Sequence, residues 1–484
     1  MRNTAAYGTA YIQMRNPERF GLTEEQLRAL VAEGLKCGGD WCDLYFEDTS
    51  YSDMLLRDGE VSAGGVSIDY GCGVRVLAGE KTGYAYSEST DFASLLSAAR
   101  AASALALSSK TGQGKGFDCT PKHKPSVFYT MKEDWRSAEV SRFVPYLEKI
   151  DRGIRARDTR VLKVVAMLSF SVSEIMMYNS LGELTTDCRP LGSLSVTTVF
   201  RQGEQTETQS VSRSLRAGAE MLTDEVVADI VDRTVEGLDA RFAARRPKGG
   251  QMPVVMGAGA SGILLHEAMG HAFEADFNRK GQSIFTGRMG ERICPEGINI
   301  KDDATLPGKR GSIAYDDEGV PGQKTYMVTD GVLTSYLHDR ISAKWFGVAP
   351  TGNGRRESFR YNPIPRMRTT YMESGNDGSV QDLIASVRKG IYVDQFANGQ
   401  VKIGEGDFTF YVKSGFLIEN GRLTMPVKDI NIIGNGPQAL ADIKAVAGDL
   451  KIDEGTWTCG KEQSVAVSCG IPSVLIGNLT VGGE

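Results

Sequence analysis

Residues 261–274 read SGILLHEAMGHAFE, an apolar segment of helical character that carries His266, Glu267 and His271. The spacing is HExxxH, one residue longer than the HExxH of zinc-binding helices, and that residue constrains the fold. At about 3.6 residues per turn an i, i+4 pair shares a face, whereas i and i+5 positions sit about 140° apart around a regular helix. Two imidazoles at this spacing converge only where the helix is distorted. Gly270, immediately before His271, is the expected place for it to end, kink or bulge.

The chain holds only four histidines, His123, His266, His271 and His338, so two of them within six positions form a distinctive cluster. A carboxylate beside a ligand histidine can take a proton from a metal-activated water and return it to a leaving amine, which makes Glu267 a candidate general base. A catalytic zinc needs a third protein ligand and one open position. The best candidate is Cys459 in GTWTCGKEQSV, where Gly455 and Gly460 suggest a tight loop and Lys461 would favour the thiolate; Cys294 and Cys469 are weaker alternatives. Residue chemistry alone leaves open that the histidines are satisfied polar groups at an interface and that Cys459 is ordinary packing. Glu274 and Asp276 are either groups that orient the imidazoles or helix-end acids facing solvent. The glycine-rich loops at 352–354 and 404–406 are either oxyanion donors and a peptide-binding edge, or plain turns. His338 and His123 have no partner at ligand spacing and are read as surface or hydrogen-bonded structural residues.

A length of 484 residues predicts about three domains. Thr23 and Gln26 form a capping box for a helix whose stripe is Leu27, Leu30, Val31 and Leu35, with Leu22 stapled to Leu27. Strand-like CDLYFED, MLLR, VSIDYGCGVRVLAG and KTGYAYS follow, then a helix from Phe92 to Leu107. Residues 108–126 look like a linker. A second helix, strands, helix passage has helices around 138–155 and 224–240, with VLKVVAMLSFSVSEIMMY and GSLSVTTVFRQ between them. A second linker-like patch covers 244–253. Beyond it, Asp330-Gly331 and Asn420-Gly421 signal two-residue hairpins, and SVQDLIASVRKG at 379–390 reads as a capped helix. The expected organisation is therefore α+β: two helix/strand N-terminal units at 1–124 and 125–245, followed by a larger, mainly antiparallel β domain at 246–484 carrying the metal-binding helix.

Fifty-five Lys and Arg against 61 Asp and Glu, a net charge of −6, argue against general nucleic-acid binding. No stretch supplies 18 uninterrupted apolar residues for a membrane span, and MRNTAAYGTAYIQMRN at the N-terminus has no apolar leader. With eight sparse, irregularly spaced cysteines, the chain is expected to be soluble, unexported and cytoplasmic, with reduced thiols. Gly257, Gly259 and Gly262 form a literal GxGxxG, but the following acid, Asp276, lies just past the same helical run, so close packing is the better account. Arg355, Arg356, Arg360, Arg366 and Arg368 could hold a substrate carboxylate, cross a subunit interface or form a solvated loop.

Four separated blocks, HEAMGHAFEADFNRKGQSIFTGRMG, GNGRRESFRYNPIPRMRTTYM, FLIENGRLTMPVKDINIIGNGP and TCGKEQSVAVSCGIPSVLIGNLTVGG, resemble the TldD/PmbA family of metallopeptidases. The resemblance is densest over 253–484 and extends more weakly through VSAGGVSIDYGCGVRVLAGEKTGYAYS. It implies a Zn2+-dependent peptidase in which His266, His271 and Cys459 bind the metal and Glu267 is the catalytic carboxylate. It also implies short or unfolded peptides as substrates, and a dimer around an enclosed cavity, either with a homologous TldE/PmbA-type subunit or with itself. Retention of the motif is similar to the TldD-type subunit; the alternative is a non-catalytic peptide-binding or regulatory partner subunit, which Glu267 disfavours. The block RMRTTYM departs from the more usual RMTNTYM at Arg368 and Thr369, a difference that bears on substrate preference.

Overall fold

The N-terminal elements form where local chemistry calls for them. In the computed structural model, which describes residues 17–106, 122–125 and 128–482, the first helix runs Glu24–Leu35. Gln26 N–H donates to Thr23 Oγ1 at 3.2 Å and Thr23 N–H donates to Gln26 Oε1 at 2.8 Å, completing the capping box. Leu22, Leu27, Leu30 and Val31 are buried beneath it. CDLYFED and MLLR, expected as separate strands, are parts of one strand, Trp41–Arg57. It turns at Asp58-Gly59, both at positive φ (50° and 84°), into Glu60–Ala78. Arg57 faces Glu60 across the turn, the two-residue geometry that Asp-Gly favours. Lys81–Ser87 and the helix Phe92–Ala106 complete this passage.

Trp41–Arg57 also pairs antiparallel with Val161–Asn179, and Val161–Asn179 pairs in turn with Glu183–Gln202. One seven-stranded sheet therefore runs through both N-terminal passages. Val161–Asn179 shows period-2 burial over much of its length, as expected for a strand with one face on the core. The helices Val144–Arg157 and Asp224–Val235 bury Leu147, Ile150, Ile154, Val226 and Ile230 against it. Of the linker-like stretch, residues 107–121 and 126–127 lie outside the described residues, as does the side chain of His123. Lys122–Pro125 is a short strand parallel to residues 183–186. The N-terminal stretch read for a leader, 1–16, is likewise outside the described residues. No helix among the described residues is long and apolar enough to cross a membrane.

The last region is built on two sheets, and the architecture as a whole is α+β. In one sheet Gly250–Met256 lies between Val474–Gly482, antiparallel, and Lys389–Val401, parallel. The other contains Ile300–Asp303, Lys324–Thr329, Thr369–Met372 and Ser468–Ile471. Asp330-Gly331 and Asn420-Gly421 both take positive φ and close hairpins with Thr329 opposite Val332 and Glu419 opposite Arg422. Ser379 and Asp382 cap Val380–Ala385 reciprocally. Leu264, Leu265, Met269 and Phe273 share one apolar core with Val254 and Ile391 of the first sheet and Ile300 and Met372 of the second. The segment bearing the histidines is wedged between the sheets, where each fully buried large apolar side chain stabilises by about 1.5–3 kcal/mol.

The GxGxxG glycines serve that wedging. A Cβ on Gly262 would lie 2.7 Å from the backbone N of Gly470, and one on Gly257 would lie 2.7 Å from the Tyr392 hydroxyl. Asp276 is paired with Lys461 at 2.8 Å.

Candidate metal centre

The helix that leaves Gly259 is regular only over Gly262–Leu265. His266–Gly270 is a π turn, in which the His271 N–H donates to the His266 carbonyl, five residues back. A wider turn accommodates the extra residue of HExxxH, and residues 266 and 271 come to the same side. The distortion expected from the spacing is present, but Gly270 does not cause it by breaking the helix: its backbone is right-handed helical (φ −59°, ψ −46°). A Cβ there would collide with the Met367 sulfur, so glycine is needed for close packing.

The His266 and His271 rings stand 5.3 Å apart between centroids at 81°. The third group comes from the hairpin of Thr458–Lys461 and Gln463–Ala466. The Cys459 sulfur lies 3.3 Å from His271 Nε2, and one ligand atom from each of His266, His271 and Cys459 falls within 4.8 Å of the others. All three residues are buried. Burial pushes the Cys459 thiol up, but the pull of the two imidazoles outweighs it and brings the group down to about 4. Cys294 is pushed up by burial to about 12, beside the Asp330-Gly331 hairpin, and burial holds Cys469 well above the usual thiol range. Of the three candidate thiols, the fold brings only Cys459 into the histidine cluster.

A cation fits this donor set. His266 is 1% exposed, yet neither of its ring nitrogens has a hydrogen-bond partner among the described residues. An orphaned buried imidazole aimed at a thiolate is costly unless something else fills the coordination. Two imidazoles and one thiolate are the donors zinc accepts, and bonds of about 2.0 Å to nitrogen and 2.3 Å to sulfur set neighbouring ligands about 3.5 Å apart in a tetrahedron. The 3.3 Å between Cys459 and His271 suits that spacing.

Beyond these groups the site is closed by buried charge. His271 Nδ1 faces Glu274 Oε2 at 2.9 Å, which aims Nε2 at the cluster. Burial lowers the His271 pKa, but Glu274 on one side and Cys459 on the other more than reverse this and hold it well above the usual value. Burial raises Glu274, whereas Lys461, His271 and Arg366 pull it down to about 2. Glu274 is thus an orienting group and not a solvent-facing helix end. Lys461, expected to act on the thiolate, instead turns to Glu274 at 3.0 Å and Asp276 at 2.8 Å. Glu267 sits on the π turn with its side chain 25% exposed and Oε2 4.0 Å from His271 Nε2.

The arginine-rich stretch is not a solvated loop. Arg355, Arg356, Arg366 and Arg368 are buried and donate largely to backbone carbonyls, while Arg360 reaches Asp69 and Glu88. Arg368 and Thr369, which depart from the family block, are both interior. The 404–406 loop is a turn, in which Gly406 N–H donates to the Lys402 carbonyl, whereas 352–354 runs into the short strand Gly354–Arg355, with Gly354 N–H donating to Asp316 Oδ2. His338 is buried against Tyr336 and Phe346, and burial lowers its pKa to about 4. The residue whose importance the sequence concealed is Arg366. Its partners are carbonyls 93 to 97 residues further on, a relation that no local spacing signals.

Sequence profiles of three PmbA/TldA metallopeptidase domains match: domain 1 over 42–106, the central domain over 133–240 and the C-terminal domain over 249–483. The chain is 40% identical over 452 residues to a metalloprotease TldD homolog of Haemophilus influenzae, covering 92% of this chain and 93% of that one. It is 34% identical to a metalloprotease of Methanothermobacter thermautotrophicus, covering 92% and 96%. Its fold is similar to that of TldE from Thermococcus kodakarensis, with a TM-score of 0.73 at 20% identity over 95% of this chain and all of that one.

Proposed function

The chain belongs to the PmbA/TldD family of metallopeptidases, and from that premise we propose that it is a zinc peptidase hydrolysing short or unfolded peptides. The observation that carries the reading is the trio of buried donor atoms of His266, His271 and Cys459 within 4.8 Å. These three residues would hold the ion. A zinc ion held there would supply Lewis acidity toward water and a peptide carbonyl. Glu267 serves as general base: its carboxylate borders the cluster and remains partly open to solvent, so it can take a proton from the attacking water and deliver it to the departing amine. Glu274 keeps the His271 ring oriented, leaving Nε2 for the ion. The enzyme works in the cytoplasm as a dimer, with a homologous TldE/PmbA-type subunit or with itself.

Metal analysis of the protein purified without chelator tests the ion: about one zinc per chain is expected, and none would overturn the reading. Peptide hydrolysis by zinc-loaded wild type and Glu267→Gln, each alone and mixed with a homologous partner, tests the base. The variant should keep its zinc and lose about 10²–10⁴-fold in rate. Undiminished hydrolysis would remove Glu267 from the mechanism, and no hydrolysis by wild type in either setting would favour a peptide-binding partner subunit.

A further inference from the structure

We infer that Arg366 is a positioning residue that locks the cysteine half of the site to the histidine half, an inference that rests on the metal-binding reading above. Arg366 is wholly buried and is not a ligand candidate. Its Nη2 donates to the Cys459 carbonyl at 2.6 Å, and its Nη1 donates to the carbonyls of Gln463 at 2.8 Å and Lys461 at 3.2 Å. One guanidinium thus gathers both strands of the hairpin that presents the thiol. Its Nε lies 3.9 Å from Glu274 Oε1, and the other oxygen of Glu274 holds His271 Nδ1 at 2.9 Å.

Lys461 adds a second tie in the opposite direction. It leaves the hairpin to reach Glu274 and Asp276 beside the histidines, and it donates to the Pro365 carbonyl next to Arg366. Two buried cations and two buried carboxylates therefore join three segments that are distant in sequence. Only a planar fork of donors serves the three hairpin carbonyls together while keeping its charge toward Glu274; a lysine there carries the charge without the fork. The hairpin backbone that presents the thiol is hydrogen-bonded to the guanidinium, whose charge faces Glu274 at 3.9 Å without a hydrogen bond. Glu274 holds His271 and Lys461 binds Glu274 directly, so the thiol and the imidazole are held at their separation before any ion arrives. A site assembled in this way loses metal affinity when the outer tie is cut, typically about 10–100-fold.

The test is titration of Co2+ into full-length wild type, Arg366→Lys and Arg366→Met, reading the sulfur-to-cobalt charge-transfer band and affinity against a competing chelator. Circular dichroism and thermal melting accompany each protein. Wild type should bind one Co2+ with a charge-transfer band. Arg366→Met should bind about 10–100-fold more weakly with an altered band, and Arg366→Lys should fall between them. Should the methionine variant fail to fold, the lysine variant decides. A lysine variant with wild-type affinity and spectrum overturns the positioning role while leaving the metal site standing. Absence of any cobalt band in wild type overturns the metal reading and this inference with it.

Discussion

Glu47 on the long N-terminal sheet and Glu274 beside His271 are both buried, and the two regions treat their charge in opposite ways. Around Glu47 burial dominates. The Thr49 hydroxyl and the Phe359 N–H both donate to it, yet its pKa is pushed up to about 7. Around Glu274 burial is opposed by Lys461, His271 and Arg366, and the carboxyl is held down at about 2. Burial alone therefore does not decide the state of a carboxyl; the charges brought beside it do. The sheet carries a carboxyl that keeps its proton toward neutral pH, whereas the site is built around one that gives up its proton well into the acid range.

The sharpest break of this contrast is Glu274→Gln. It leaves Arg366 and Lys461 short of a carboxylate in the interior and should cost about 3–5 kcal/mol at neutral pH in urea unfolding. A depressed carboxyl contributes stability that is full above about 4.5 and is lost as pH falls toward 2, so the gap between wild type and variant should narrow in acid. Glu47→Gln should act with the opposite sign. A carboxyl raised to about 7 holds its proton more tightly in the folded chain, so stability declines as pH rises from about 4.5 through 7. The glutamine variant should flatten that decline and gain up to about 3 kcal/mol at pH 8. An unchanged pH profile would show that the Glu47 pocket is wetter than the geometry implies.

Metal removal tests the site alone. Zinc at 100 times its dissociation constant should stabilise wild type by about 2.7 kcal/mol in thermal melting, and Cys459→Ala should show none of this under the same conditions. Gly270→Ala should cost about 1–3 kcal/mol by overpacking against Met367, and in combination with Met367→Ala the two costs should fall short of additive. The smallest effect belongs to the N-terminal passage: Thr23→Ala removes one half of the capping box and should cost about 1 kcal/mol without touching metal affinity.

Features closed within a few residues were legible. The caps at Thr23 and Ser379 and the turns at Asp330-Gly331 and Asn420-Gly421 depend on neighbours in sequence, and the structure repeats them. The strand Trp41–Arg57 reads as two pieces because TSYSD, mostly polar, interrupts its apolar residues at 49–53. The HExxxH spacing demanded a distorted helix, and a π turn is there. The reason for Gly270 lay in Met367, 97 residues further on, and was out of reach. Lys461 lies nearest the thiol in sequence, but its charge is taken by Glu274 and Asp276, which only the packing brings beside it.

By itself the amino-acid order determined which residues could ligate, which turns could close and that the histidine helix could not be straight, because each follows from short-range sterics and donor chemistry. Tertiary structure alone decided that Cys459 stands beside those histidines and not Cys294 or Cys469, that the Glu274 carboxyl is held down at about 2 while that of Glu47 is pushed up to about 7, and that Arg366 gathers the hairpin bearing the thiol. Those outcomes depend on distance and on the charge enclosed with a group in a medium of low polarity. Both are set by how remote segments pack, and spacing along the chain does not contain them.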